Sequence, residues 1–265
     1  MLELYHNGMS TCSAKARIAL GAKRLEWKSH VLNLRQAEVQ RPEYLKLNPD
    51  AVVPTLIHDG EVVRESTVII EYLDEVFPDP PLSPPDALGR ARMRGWMVQV
   101  DDSIHPVVGT LTWALSTANV MRSMHTPKEL EAYLQGLQVA DKRMRRREIF
   151  EMGIAAPTVA EALKRMDRLC GHIEQQLETS AWLVCEELTL ADIALAPYLT
   201  RMDMLGLGPI LWGERPRYTD WYRRLQASEG YREGLTKWIN EERRQQLHDG
   251  GARDHEAARR LLRGN

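Results

Sequence analysis

Residues 2–20 have the sequence LELYHNGMSTCSAKARIAL. Apolar and polar residues alternate from Leu2 to His6, which predicts a short strand, and the segment from about Thr11 to Lys23 has the pattern of a helix. The turn between them places Ser10 and Cys12 at the predicted helix N-terminus. Backbone N–H groups and the helix dipole stabilise negative charge there. We therefore expect this turn to favour a thiolate.

The following residues, up to about position 80, continue the alternation of strand and helix patterns. One β-rich run lies around Trp27 to Leu32, and two more flank the dipeptide Asp59-Gly60, which is a strong hairpin signal. Apolar residues recur at helical spacing from about Ser66 to Val76. The predicted order is a βαβ unit followed by a ββα unit, which is a small α/β domain.

Prolines occupy five of the eight positions in residues 78–85, and such a run cannot continue a helix. The patterns after it are helical: Leu88 to about Leu115 with a kink at Pro106, Pro127 to about Met152, Thr158 to Thr179, Leu190 to Leu205, and Tyr218 to about His248. We predict an α/β domain at 1–77, a proline-rich linker at 78–87, an all-helical domain at 88–250 and a charged tail at 251–265. The tail is expected to form a surface helix.

The composition argues against several classes of protein. The chain has 35 basic and 37 acidic residues, a formal net charge of −2, which offers no general electrostatic reason to bind nucleic acid. Its apolar runs are shorter than the roughly 20 residues of a membrane-spanning helix. The three cysteines, Cys12, Cys170 and Cys185, lack the spacing of a disulfide framework or a metal site. We expect a soluble, cytoplasmic protein that holds no metal.

Three further motifs, in this order and spacing, resemble the soluble glutathione transferases over roughly residues 1–240. Val53-Pro54 matches a Val-Pro pair whose proline is cis in that family, Glu65-Ser66 matches the residues that open the third helix, and Leu188–Asp192 resembles the capping box of the helical domain. The resemblance implies an α/β thioredoxin-like N-terminal domain of βαβ-ββα order. It also implies an all-α helical-bundle C-terminal domain.

Within that family, two groups of bacterial enzymes are similar to this chain. Residues 9–13 look most like the zeta class and its relatives that reductively dehalogenate chlorinated hydroquinones, and residues 201–206 and 212–216 also resemble those dehalogenases. The helix around Trp113 and the segment Lys142–Arg147 are similar to β-etherases, which cleave aryl ethers with glutathione. Both reactions stay open at this stage.

The resemblance implies that glutathione is the cosubstrate and that Ser10 activates its thiol. A thiol of pKa about 8.5 is only about 3% ionised at pH 7, and lowering that pKa by about two units requires roughly 2.7 kcal/mol. One hydrogen bond to the thiolate, worth about 1.5 to 3 kcal/mol, supplies much of this. As an ordinary N-cap, Ser10 would have no such role, and Thr11 and Ser13 are alternative donors.

The resemblance also assigns the groups that hold the rest of glutathione. The backbone of Val53, turned by Pro54, would pair with the cysteinyl portion, Ser66 would hold the γ-glutamyl carboxylate, and Glu65 would meet its ammonium group. Gln40, or its neighbour Arg41, is the candidate for the glycyl carboxylate. Glu65 has the alternative role of a first-turn helix acid, and Gln40 and Arg41 that of solvated loop residues.

Cys12 separates the possible reactions. In a plain transferase its thiol is incidental. In a thiol-exchange enzyme it attacks the glutathionyl sulfur of an intermediate, releases the reduced product, and leaves a mixed disulfide that a second glutathione resolves. Cys170 and Cys185 are expected to be structural.

We thus expect a homodimeric glutathione-dependent enzyme whose thiolate attacks an aromatic or other hydrophobic electrophile by conjugation, thiolytic β-aryl ether cleavage or reductive dehalogenation. Detoxification or degradation of aromatic compounds would be its setting. The alternatives are a zeta-like cis-trans isomerase and a non-catalytic transferase-like binding protein. The residues predicted to line the electrophile site are Met97, Val100, Asp101, His105, Trp113, Tyr198 and Met202.

Overall fold

The computed structural model describes residues 1–263, which fall into two compact units. Unit 1 comprises residues 1–101, 176–199 and 220–240, and unit 2 comprises residues 102–175, 200–219 and those from 241 onward. Each unit is therefore assembled from segments that are distant in the chain. The domain boundaries at positions 77 and 88 stay a prediction.

The strands and helices follow one another in the order that the first subsection predicts for residues 1–77. The strands are β1 (Leu2–His6), β2 (Trp27–Val31), β3 (Thr55–His58) and β4 (Glu61–Val63). The α-helices are α1 (Thr11–Ala22), α2 (Pro42–Leu45), α3 (Ser66–Val76), α4 (Ala87–Gln99), α5 (His105–Thr112), α6 (Ala118–Met124), α7 (Pro127–Gln135), α8 (Ala140–Met152), α9 (Pro157–Gln176), α10 (Leu190–Met204), α11 (Gly208–Leu211), α12 (Pro216–Ala227), α13 (Glu229–Gly234), α14 (Glu241–Arg253) and α15 (His255–Arg263). Val100–Ile104 and Trp113–Thr117 are π-helical turns.

The sheet of unit 1 has the strand order β2-β1-β3-β4. β1 is parallel to β2 and antiparallel to β3, so Leu4 lies between Ser29 and Leu56 in the register. Leu2, Leu4 and His6 are buried, whereas the residues between them are partly exposed. This alternation is the period-2 pattern expected of a strand with one face on the core.

A close approach between α13 and α1 sets the position of α1 in unit 1. A Cβ atom built on Gly234 would lie 2.3 Å from the Ile18 nitrogen, and one on Gly230 would lie 2.7 Å from the Ile18 carbonyl oxygen. Only glycine permits these distances. The two glycines, one helical turn apart, thus let α13 pack directly on the backbone of the helix whose N-terminus carries Ser10.

The proline-rich segment is anchored within unit 1. Lys23 Nζ donates to the carbonyl oxygens of Phe77 at 2.7 Å and Pro80 at 2.6 Å, and it also pairs with the Asp74 carboxylate. Asp74 in turn accepts from the Leu82 N–H at 2.9 Å. The segment is therefore held in place by a buried cation.

Two of the predicted helices are interrupted. The continuous helix predicted for 127–152 is wrong, because α7 ends at a Gly136 C-cap and Val139 is extended before α8. The helix predicted for 218–248 is also wrong. α12 ends at Ala227, and the Ser228 side chain accepts from the Tyr231 N–H to cap a new helix.

The described part of unit 2 consists of helices and the turns that connect them. α9 buries one face that includes Leu163, Met166 and Ile173. α14 approaches the π-helical turn Trp113–Thr117 closely, since a Cβ atom on Gly250 would lie 2.3 Å from the Leu115 carbonyl oxygen. Across residues 1–263, no helix combines the length and apolar character needed to cross a membrane.

Candidate active site

Ser10 is the N-cap residue of α1. Its backbone is extended and its Oγ accepts the Ser13 N–H at 3.1 Å. The preceding turn is tied together by the Asn7 side chain, whose Oδ1 accepts the Met9 N–H at 3.0 Å. A serine hydroxyl has two lone pairs and one hydrogen, so capping leaves the hydrogen of Ser10 available to donate. Ser10 can therefore cap α1 and donate a hydrogen bond to a thiolate at the same time.

Arg17 stabilises the turn between β1 and α1 by hydrogen bonds to its backbone. The sequence did not predict this role. The guanidinium is buried and donates to the carbonyl oxygens of Asn7 at 2.9 Å, Gly8 at 3.0 Å and Gly234 at 2.8 Å. Burial lowers the pKa of Arg17 to about 9, which still leaves it charged at neutral pH. Three backbone carbonyls satisfy the buried charge and fix the path of the chain into α1.

His6 completes this support as a neutral imidazole. Burial, reinforced by the nearby charge of Arg17, lowers the pKa of His6 to about 3. Because Arg17 Nη1 donates to Nδ1 at 3.2 Å, the tautomer is assigned with hydrogen on Nε2, which donates to Ser29 Oγ at 2.8 Å.

Cys12 lies beside a phenol. Its Sγ is 3.6 Å from the Tyr198 hydroxyl, which α10 contributes from within unit 1. Burial, followed by the proximity of Cys12, raises the pKa of Tyr198. The phenol therefore stays protonated and can donate a hydrogen bond to a Cys12 thiolate.

Lys15 lies one helical turn beyond Cys12 on the same face of α1. Its fully buried ammonium donates to Asp101 Oδ1 at 2.6 Å and Thr67 Oγ1 at 2.8 Å, and it lies 5.9 Å from the Tyr198 ring centroid. Thr67 is in the first turn of α3, so this hydrogen bond joins the start of α3 to α1. The sequence reasoning had placed Asp101 and Tyr198 in the electrophile site but gave Lys15 no role.

The remaining predicted glutathione-binding residues are Val53 and Pro54 just before β3, Glu65 and Ser66 at the start of α3, and Gln40, which ends the short helical turn Glu38–Gln40. The Val53–Pro54 peptide bond is cis, and Val53 packs in a small buried cluster with Val39 and Tyr44. Gln40, next to Val39, is exposed.

Glu65 and Ser66 differ sharply in environment, although they are adjacent. Glu65 is exposed and has φ +62°, a conformation that is costly for a residue with a side chain. Ser66 is buried as the first residue of α3, where backbone N–H groups lack intrahelical partners. The strained residue and the helix start make this corner a reasonable place for a charged ligand group.

The residues predicted to line the electrophile site are divided between the two units. Met97, Val100 and Met202 are fully buried in the cores, and His105, Trp113 and Met202 belong to unit 2. Burial raises the pKa of the Cys170 thiol to about 12, which makes it inert. Cys185 is half-buried, with Sγ 3.5 Å from the Glu187 carbonyl oxygen.

Comparison with known proteins places this geometry in a family. The sequence model of the glutathione S-transferase N-terminal domain matches residues 4–81, a range that contains every residue predicted to bind or activate glutathione, and the C-terminal domain model matches residues 156–224. Maleylacetoacetate isomerase of Pseudomonas aeruginosa is 31% identical over 222 residues, covering 83% of this chain and 90% of the isomerase. The chain belongs to the glutathione S-transferase family.

A second relative is similar in sequence and in structure. Protein LigF of Sphingobium sp. is 29% identical over 241 residues, covering 89% of this chain and 93% of LigF. The crystal structure of the β-etherase LigF superposes with a TM-score of 0.73 at 28% identity, covering 89% of this chain and 99% of that structure. The predicted fold class and family are thereby confirmed, as is the assignment of the chain to a family of glutathione-dependent enzymes.

Proposed function

We propose that this chain binds glutathione on its α/β domain and that Ser10 donates a hydrogen bond to the glutathione thiolate. The observation that carries this proposal is the geometry of Ser10, whose Oγ caps α1 while its hydrogen remains available at the positive end of the helix. One such bond is worth about 1.5 to 3 kcal/mol. It would lower a thiol pKa of about 8.5 by about 1 to 2 units, so that roughly 30 to 80% of the bound glutathione is ionised at pH 7.

The binding groups proposed for the rest of glutathione are those that the family resemblance implies. Val53 would pair with the cysteinyl backbone, with Pro54 beside it, and Gln40 would meet the glycyl carboxylate. Ser66 would hold the γ-glutamyl carboxylate at the start of α3, and Glu65 its ammonium. The hydrogen bond from Lys15 to Thr67 supports this assignment, because it holds the start of α3 against the helix that carries Ser10.

The electrophile that we propose is an aromatic compound with an aryl ether. The thiolate attacks the carbon that bears the ether oxygen, so a C–S bond forms, the C–O bond breaks, and the phenolate leaves and takes up a proton. Similarity to LigF in both sequence and structure supports this reaction. Degradation or detoxification of aromatic compounds in the cytoplasm would be its setting, and we expect a homodimer, as is typical of the family.

Reductive thiol exchange at Cys12 is the second candidate, and the contact between Cys12 and Tyr198 favours it. Cys12 thiolate would attack the sulfur of a glutathionyl intermediate, forming an S–S bond and releasing the reduced product with a proton. A second glutathione would then displace Cys12 and leave as glutathione disulfide. The Tyr198 phenol, 3.6 Å away, is placed to stabilise the attacking thiolate.

A product assay separates these reactions. Wild type, Ser10→Ala and Cys12→Ser would be given glutathione with either a β-aryl ether or a halogenated hydroquinone, and products would be identified by mass spectrometry. We expect a glutathione thioether and free phenol from the ether, loss of this activity in Ser10→Ala, and its retention in Cys12→Ser. Glutathione disulfide formed by wild type but not by Cys12→Ser would instead establish the reductive reaction. Failure to bind glutathione at millimolar concentration would refute the proposal.

A further inference from the structure

An arginine in unit 2 is surrounded by aromatic rings. The Arg146 guanidinium carbon lies 3.1 Å from the Trp113 ring centroid and 6.0 Å from that of Tyr133. The Trp113 and Tyr133 rings are stacked with centroids 5.8 Å apart, and Phe150 meets Trp113 at 6.0 Å. We call these four residues the Arg146 cluster.

Arg146 has no carboxylate partner among the described residues. Arg146 forms no ion pair within residues 1–263, and its buried Nε and Nη1 have no hydrogen-bond partner there. Glu131 pairs with the next residue in the chain, Arg147, from which both its oxygens accept at 2.7 and 2.8 Å. Buried N–H donors of a guanidinium normally face a carboxylate or carbonyls, and none of the described residues supplies one to Nε and Nη1 of Arg146.

Further buried polar atoms without a partner belong to the same helical stretch as Trp113. Trp113 Nε1, Thr112 Oγ1 and Ser116 Oγ are buried without a partner in the described residues, and Ser116 is only 1% exposed. Thr112 and Ser116 are one helical turn apart, and Trp113 lies next to Thr112 on the same helix. Trp113–Thr117 is a π-helical turn, a feature that is frequent at functional sites.

We propose that the Arg146 cluster binds a small aromatic carboxylate. The carboxylate would accept from Arg146 and from the Trp113 indole N–H, and the ring of the ligand would pack on the aromatic side chains of the cluster. Arg146, Trp113, Tyr133 and Phe150 are each partly exposed, so the cluster borders solvent. Because Arg146 Nε and Nη1 and the Trp113 indole nitrogen are themselves buried, the ligand would bind by moving the guanidinium away from the Trp113 ring. This site consists of residues of unit 2 alone and is independent of the proposed use of glutathione.

Isothermal titration of the full chain with benzoate, in the absence of glutathione, tests the proposal. Benzamide has the same ring without the charge and serves as the ligand control. Arg146→Met removes the cation, and Arg145→Met removes a neighbouring exposed arginine as the matched variant. We expect benzoate to bind wild type and Arg145→Met equally, to bind Arg146→Met about tenfold or more weakly, and to bind better than benzamide.

Absence of benzoate binding to wild type, or equal binding to wild type and Arg146→Met, would overturn the proposal. Equal binding of benzamide would overturn it too. If Arg146→Met does not fold, as judged by circular dichroism, Trp113→Phe takes its place, because it keeps a smaller aromatic ring and removes the indole donor. Its expected result is benzoate binding that is at least about threefold weaker, and unchanged affinity would again refute the site.

Discussion

Ser10 has two physical roles that a set of substitutions at this position can separate. Its Oγ caps α1 by accepting the Ser13 N–H at 3.1 Å, and its hydrogen is proposed to stabilise the glutathione thiolate. Ser10→Ala removes both, whereas Ser10→Gly removes the hydroxyl at a capping cost of only a few tenths of a kcal/mol. Ser10→Thr keeps both groups and is the matched control.

The two roles predict effects of different kinds. Loss of the cap should lower the free energy of unfolding of Ser10→Ala by about 0.5 to 2 kcal/mol, with a smaller change in Ser10→Gly. Loss of the donor should cost about 1.5 to 3 kcal/mol of thiolate stabilisation in both variants. At pH 7 this lowers the ionised fraction of bound glutathione, and kcat/KM with it, by about 10- to 30-fold. The midpoint of its pH dependence should rise by about 1 to 2 pH units.

The assay measures kcat/KM between pH 5.5 and 9 with glutathione and the best aryl ether, together with urea unfolding of each variant. We expect Ser10→Gly to be nearly as stable as wild type but as inactive as Ser10→Ala. Wild-type kcat/KM and an unchanged pH midpoint in Ser10→Gly would show that Ser10 is only a cap. Thr11 would then be the donor to examine.

Three further substitutions test the surroundings of the site. Because the pKa of His6 is about 3 in the folded protein and about 6.5 when unfolded, its neutral form stabilises folding fully above pH 6.5 and this contribution falls as the pH decreases towards 3. In urea unfolding, wild type should lose about 2 kcal/mol more than His6→Gln between pH 7.5 and pH 5. Asp192→Ala should lower the free energy of unfolding, measured by thermal denaturation, by at least about 4 kcal/mol. The reason is that three buried N–H donors, including the Trp221 indole, lose their acceptor. Lys15→Met should slow alkylation of Cys12 by iodoacetamide at pH 7 by about threefold or more, because the ammonium one turn away favours the thiolate.

Each of these three predictions has a clear contrary result. Equal pH dependence of stability in wild type and His6→Gln would mean that the imidazole does not remain neutral in the fold. A stability of Asp192→Ala within about 1 kcal/mol of wild type would show that water replaces the carboxylate. The alkylation rate is measured by mass spectrometry of the Cys12 peptide. An equal rate in Lys15→Met and wild type would show that Lys15 does not stabilise the Cys12 thiolate.

Local signals explain why the first part of the fold could be predicted from sequence. Alternation in Leu2–His6 and the serine at position 10 specify a strand, a turn and a helix start within a few residues, and the structure has β1, the N-cap and α1 there. The start of α3 at Ser66 was equally predictable. Such features depend on neighbours in the chain, where period and capping chemistry are visible.

The support of the site could not be predicted in this way, because it depends on distant residues. Arg17 bonds to the carbonyl of a residue 217 positions away, and Lys15 pairs with Asp101 across 86 positions. A basic residue on a helix ordinarily indicates a solvated face, and nothing local distinguishes Arg17 or Lys15 from that case. The breaks at Gly136 and Ser228 did have local signals, but the helical patterns on both sides of each residue obscured them.

Arg146, which is partly exposed, differs from the buried cations Lys15, Lys23 and Arg17 in the groups that surround its charge. Lys15 has a carboxylate and a hydroxyl, Lys23 has a carboxylate and two carbonyls, and Arg17 has three carbonyls. Each of these three buried side chains therefore has acceptors for its charge within the chain. Arg146 has aromatic rings but no acceptor among residues 1–263, and a face-on ring satisfies none of its N–H groups. If Arg146 only supported the fold, an acceptor would be expected beside it; its N–H groups are instead left for an anion.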